Sequence, residues 1–319
     1  MKWITQDNIE TFVYDCFRWM IMIYALLYII LLICSIVEVP LTKYSPTDNL
    51  YNENTREVLS FSPISQEHPM GTDFYGYDIF SQIYYGIKTN FIFSLIGALV
   101  FLIVGTLLGV RLGYYSDKNK EFFSFINGRN VTIKHYFLPK ITNIHMWERI
   151  ASDIINSFPL ILLLLLATIF LDTWIPSTNK KLIILMALFG LFSSPRLASM
   201  IMGKIQTLRS EEFILSAKAL GLSNRQIIWK HIIWYECRYV LLFQTTYIMG
   251  QASILEITLT YLNLGAQFPW VSWGSILVNM GSTGFHIYIL FPIIFITLTI
   301  YMFMRFAEEI KVYGEKRNL

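Results

Sequence analysis

Three side chains able to both donate and accept hydrogen bonds, Gln244, Tyr247 and Gln251, fall at i, i+3 and i+7 in an otherwise apolar run. Glu256 follows five residues later. At a helical period the three share one face. Within an apolar medium such a stripe has two uses. It can line a water-filled route, where polar groups at membrane depth usually point, or it can hold helices together by hydrogen bonds. Spacing alone leaves both readings open. On the first, Gln244, Tyr247, Gln251 and Glu256 are candidate lining residues.

Covalent and metal chemistry have no comparable footing. Cys16, Cys34 and Cys237 show neither a close pair nor ligand spacing. His68 and His286 lack a partner cluster. Gly203-Lys204 is followed by Ile205 and has no upstream glycine, so it is not a phosphate loop. Asp73 and Asp78, in "GTDFYGYD", read as turn and helix-cap residues. The chain is therefore expected to bind no metal and no cofactor itself, and not to be an enzyme.

A second polar stretch, "EEFILSAKALGLSNRQIIWKH" at 211–231, carries five charges. Buried at a bilayer centre they would cost on the order of 12–17 kcal/mol, so the stretch lies outside the hydrocarbon. Ser210 can cap a first helix over 211–220 whose apolar face is Phe213, Ile214, Ala217 and Leu220. Gly221 suits the positive φ that ends a helix. Ser223 and Gln226 have capping-box spacing for a second helix. Such an amphipathic elbow fits a groove on a partner protein or a surface of lipid headgroups.

The elements holding these residues are set by composition. Of 319 residues, 55% are hydrophobic and only 15% charged, with mean hydropathy +0.49. That excess of apolar residues predicts an all-α polytopic membrane protein, and the net charge of +3 does not call for nucleic acid. Six apolar segments are long enough to be transmembrane helices: 19–37, 89–110, 154–171, 182–203, 239–255 and 285–304. The first is too long for the core of a signal peptide and has no cleavage site before Glu38. Of the 25 Lys and Arg, 20 fall on one side of this arrangement, which places both termini in the cytoplasm. The expected organisation is a cytoplasmic segment 1–18, the first span 19–37, an external loop 38–88, a five-helix core 89–305 and a tail 306–319. The core includes a cytoplasmic loop 111–153, the polar loop 204–238 and an external loop 256–284. Gly97, Gly105, Gly109 and Gly113 line one face of the second span and predict a close helix contact. Pro159, Pro195 and Pro292 predict kinks.

"EEFILSAKALGLSNRQIIWKHII" resembles the cytoplasmic EAA loop of ABC importer permeases. "HPMGTDFYGYD" (68–78), "SFPLILLLLL" (157–166) and "EITLTYLNLGAQFPWVSWGSIL" (256–277) are similar, in the same order, to segments of the second permease subunit of oligopeptide, dipeptide and nickel systems. The match departs at the triplet itself, which reads Leu215, Ser216, Ala217 without its glutamate, and at Tyr77 where the family has arginine. The resemblance implies that the elbow is a coupling helix seated on a cytoplasmic ATPase. Its coupling residues would be Arg209, Glu211, Glu212, Phe213, Ala217, Lys218, Leu220, Gly221, Ser223 and Ile227. It further implies a bacterial cytoplasmic-membrane permease forming half of a peptide pathway. Its partners would be a second homologous permease, two nucleotide-binding subunits that hold ATP and Mg, an external substrate-binding protein and membrane lipid. The same machinery importing nickel or a metal chelate is an alternative. A secondary transporter or channel is a more distant one, and would be expected to show paired intramembrane carboxylates or inverted repeats.

Overall fold

The computed structural model describes residues 6–50, 58–114, 150, 153–155, 157–175, 177–208, 211–262, 264–265, 270–281 and 287–317. Arg209, Ser210, His286 and most of the inner loop 111–153 lie outside them. The regular elements among the described residues are helices, and Thr72 and Asp78 form an isolated β-bridge in the irregular stretch ahead of residue 79. We number the helices α1 (Gln6–Ile36), α2 (Ile79–Tyr114), α3 (Leu160–Trp174), α4 (Thr178–Leu208), α5 (Glu212–Ala219), α6 (Arg238–Tyr261), α7 (Trp273–Gly281) and α8 (Leu290–Arg317). A single α-turn (Asn224–Gln226) and a π-helix (Ile227–Glu236) stand between α5 and α6.

Among the described residues, four stretches are long and apolar enough to cross a membrane: Arg18–Ile36, Ile79–Tyr114, Lys180–Leu208 and Ile287–Arg317. The other two expected spans are weaker for different reasons. The 15 residues of α3 rise only about 22 Å, short of the ~30 Å hydrocarbon core. The 24 residues of α6 are long enough, but Gln244, Gln251 and its threonines dilute the apolar character. The second span also starts earlier than the sequence indicates. Residues 79–88, expected as the end of the external loop 38–88, are the first turns of α2.

The chain divides into two compact units. The first comprises Met1–Leu95, Asp172–Met186 and Met249–Glu308. Its core gathers Tyr28, Ile79, Ile83, Ile87, Ile257, Trp273 and Phe303. The Trp273 indole N–H donates to the Ile83 carbonyl at 3.1 Å, and this approach requires Gly86: a Cβ there would stand 2.5 Å from Trp273 Cδ1. Ahead of α2, Asp73 Oδ1 accepts from the N–H groups of Tyr75 and Tyr77, each at 2.9 Å. Asp78 Oδ2 caps α2 by accepting from Ser81 N at 2.8 Å. Both aspartates thus take the turn and cap roles expected of them. His68 is not isolated, as its sequence context implied. Its Nδ1 lies 3.0 Å from Asp78 Oδ1 in a buried pair.

The second unit comprises Ile96–Leu171, Ala187–Ile248 and Glu309–Leu319. Here the glycines of α2 meet α4. A Cβ on Gly105 would approach Leu197 and Ser194, one on Gly109 Ile201 and Ala198, and one on Gly113 Ile205 and Met202. Gly190 of α4 packs in the same way on the Gly97 carbonyl. Contacts that rise together by four residues on each helix mean that α2 and α4 run parallel. Pro195 sits inside α4, where its missing N–H orphans the Leu191 carbonyl. The Ser194 hydroxyl donates to that carbonyl at 2.7 Å, so the helix continues through. Pro159 and Pro292 instead fall at the starts of α3 and α8, where a missing N–H costs nothing.

Candidate functional site

The polar elbow begins with α5, which starts at Glu212 after Glu211. Glu211 takes the N-cap position without a side-chain hydrogen bond; Ser210, the cap expected from the sequence, lies outside the described residues. Gly221 ends the elbow's first arm at φ +79°, with its N–H on the Lys218 carbonyl (3.0 Å) and the Leu222 N–H on the Ala217 carbonyl (3.1 Å). Those two bonds are the Schellman closure that satisfies the last carbonyls of a helix. Two residues later Ser223 and Gln226 form a capping box: Gln226 N donates to Ser223 Oγ and Ser223 N donates to Gln226 Oε1. The Tyr114 hydroxyl, at the end of α2, donates to Asn224 Oδ1 at 2.7 Å and ties the elbow down.

The apolar face divides rather than staying together. Ile214 and Ala217 are buried, while Phe213 is 41% and Leu220 82% exposed. Glu211, Glu212, Lys218, Gly221 and Ser223 are exposed or half-buried, and Ile227 is buried. The exposed side of the first arm thus carries Phe213 and Leu220 with a charged rim. After the single α-turn Asn224–Gln226, the second arm does not continue as an α-helix. Ile227–Glu236 is a π-helix that buries Ile227, Ile228, Ile232 and Ile233, and its closing Cys237 N–H reaches back five residues to the Ile232 carbonyl at 2.9 Å. The sequence carries the signal as a five-residue repeat, "IIWKH" then "IIWYE". An α period would put His231 and Trp234 beneath Ile227. Burial therefore favours the wider turn, a form frequent at functional sites.

The four candidate lining residues are divided between the two units. Gln244 and Tyr247 belong to the second unit. Gln244 is 7% exposed and its amide donates to Met200 Sδ at 3.1 Å, a weak acceptor. Tyr247 is half-buried with its ring 6.1 Å from that of Phe243. Gln251 and Glu256 belong to the first unit. Gln251 is half-buried. Glu256 is fully enclosed (0% exposed), with its carboxylate accepting from Asn90 Nδ2 (3.2 Å), Thr260 Oγ1 (3.0 Å) and the Ser272 hydroxyl. It knits α2 to the cap of α7, since Ser272 Oγ also accepts from Gly274 N. Asn90 and Ser272 are invisible as its partners in the sequence because they lie 166 residues before and 16 after it.

No family model matches the chain. Curated proteins do. It is 33% identical over 218 residues to the dipeptide transport system permease protein DppC of Alkalihalophilus pseudofirmus, covering 67% of this chain and 59% of that protein. It is 25% identical over 276 residues to the oligopeptide transport system permease protein OppC of Bacillus subtilis, covering 85% and 79%. Among solved structures, inward-facing MetNI, a methionine ABC transporter, superposes with a TM-score of 0.51 at 16% identity, over 74% of this chain and 95% of that one. The likeness to that transporter shows a shared fold. By sequence the chain is a homologue of the DppC and OppC permease proteins, and its apolar helices make it a multi-pass membrane protein.

Proposed function

We propose that the chain is the permease subunit of a peptide-importing ABC transporter, forming half of the translocation pathway and coupled to separate cytoplasmic ATPases. The observation that carries this reading is the elbow, a rigid bend that exposes Phe213 and Leu220 within a charged rim in a homologue of DppC and OppC. A fixed bend is what a protein cleft demands and a lipid surface does not. Six spans with both termini in the cytoplasm agree with the 20-to-5 division of Lys and Arg. The parallel course of α2 and α4 supports a return crossing through α3, because the chain must regain the side from which α2 began. The partners are a second permease, two ATPase subunits that hold ATP and Mg, and an external binding protein that delivers peptide. Purification of the intact complex from its own membrane is the test. A nucleotide-binding subunit should accompany the chain, and a chain that arrives without one ends this reading.

Two smaller effects follow from the site. Ser223→Ala removes the acceptor for Gln226 N and should cost about 1 kcal/mol, seen as a modest drop in the thermal midpoint of the complex and restored by Ser223→Asp. Gln244→Ala and Gln251→Ala should lower peptide uptake severalfold with the assembled complex still present at normal yield. A parallel loss of uptake and of assembled protein would assign both residues to helix packing.

A further inference from the structure

Several basic groups outside the elbow converge where α4 ends, α6 begins and α8 ends. The Arg238 guanidinium lies over the Tyr239 ring, 4.7 Å from its centroid. Arg317 Nη1 donates to the Tyr239 hydroxyl at 2.9 Å, so two guanidinium groups flank one aromatic ring. Gly314 permits this, because a Cβ there would stand 2.7 Å from Tyr239 Cβ. Lys204, in the last turns of α4, lies within electrostatic reach of the Cys237 thiol beside Arg238. The neighbouring acids answer only part of this charge: Glu236 precedes Cys237, and Glu315 is paired with Lys311. Arg238 Nε is buried with no hydrogen-bond partner, although buried donors of this kind are nearly always satisfied.

We propose that Lys204, Arg238 and Arg317 form a binding site for the phosphate of an anionic lipid headgroup. The proposal rests on the membrane arrangement given above, in which Lys204 follows the apolar stretch 182–203 and Arg238 precedes that of α6. Both therefore stand at the inner boundary, where anionic headgroups lie and basic pockets between helices bind them. The guanidinium fork matches phosphate oxygens in a way an ammonium does not. An acyl chain has a place to lie as well. Met200, one turn before Lys204, and Leu242, one turn after Arg238, are both exposed apolar side chains. Those flanks favour a lipid over free phosphate.

The test uses the complex purified with its native subunits and placed in phosphatidylcholine nanodiscs with and without phosphatidylglycerol. Native mass spectrometry then reads the retained lipid. Wild type should retain phosphatidylglycerol over phosphatidylcholine, and R238Q/R317Q should lose that preference by about tenfold or more. R238K should fall between the two, having charge without the fork. Lys204→Gln, on the half-exposed end of α4, gives a separate severalfold loss should the double variant fail to fold. Unchanged retention in these variants overturns the site. Displacement of phosphatidylglycerol by inorganic phosphate at equal concentration overturns the lipid assignment. Retention is read without ATP, so a missing ATPase subunit would end the importer reading and leave this result standing.

Discussion

Gly221→Pro should abolish ATP-driven uptake while leaving insertion and yield of the complex near normal. Gly221 holds φ at +79°, and proline is locked near −65°, so the elbow cannot keep its bend. Proline also removes the N–H that bonds the Lys218 carbonyl, and the companion bond from Leu222 depends on the same turn. The loss is about 3 kcal/mol or more, confined to an element outside the spans. Packing does not enter, because nothing lies within 4 Å of a Cβ built at Gly221. A graded series separates backbone from volume. Gly221→Asn should retain most activity, since asparagine visits the left-handed region at low cost, and Gly221→Ala should be intermediate. The readouts are peptide uptake and the stimulation of ATP hydrolysis by loaded binding protein, measured in proteoliposomes. Full coupling in Gly221→Pro would show that the bend has no part in transmission.

The elbow is legible in the sequence because its determinants are local. A glycine after an amphipathic turn and a Ser-x-x-Gln spacing each specify geometry within four residues. The start of the elbow is less legible, since Glu211 takes the cap position without using its side chain. The π-helix escapes although its five-residue repeat is plain, because periods of 3.6 and 2 alone do not register it. Long-range pairings are out of reach. Nothing local to Glu256 indicates Asn90, and an acid near the end of an apolar run reads equally well as a pathway residue or as a buried lock. The His68–Asp78 pair is hidden for a related reason: ten residues of turns separate the partners, and only the folded path brings them to 3.0 Å. The glycine stripe of α2 is an intermediate case. Its spacing announces a close contact, but the surface that fills it is made of Leu197, Ala198 and Ile201, which look like any other apolar residues of α4.

That seam supports the other large effect. Gly190→Leu and Gly109→Leu should each reduce the yield of folded complex by an order of magnitude or more. At Gly190 even a methyl group meets the Gly97 carbonyl, with Phe101 N and Val100 Cβ both 3.0 Å away. At Gly109 it would stand 2.7 Å from Ile201 Cβ and 2.9 Å from the Ala198 carbonyl. These neighbours are backbone or the root of a β-branched side chain, so no rotamer change relieves the clash. The helices must part, and overpacking of this kind costs about 1–3 kcal/mol before the lost contacts along the seam are added. Without a hydrophobic driving force between helices in lipid, close packing is most of what holds such a pair together. Gly203 supplies the control within the same helix. It is exposed, and a methyl group placed on its Cα would have nothing within 4 Å. Gly203→Leu should therefore be tolerated, and Gly203→Ala should stabilise α4 by up to about 1 kcal/mol through helix propensity. Fluorescence-detected size exclusion after solubilisation, with a thermal ramp, reads both. Equal loss at Gly203 and Gly190 would mean that glycine serves helix flexibility rather than the α2–α4 contact, and equal tolerance would mean that the two helices are not pressed together in the membrane.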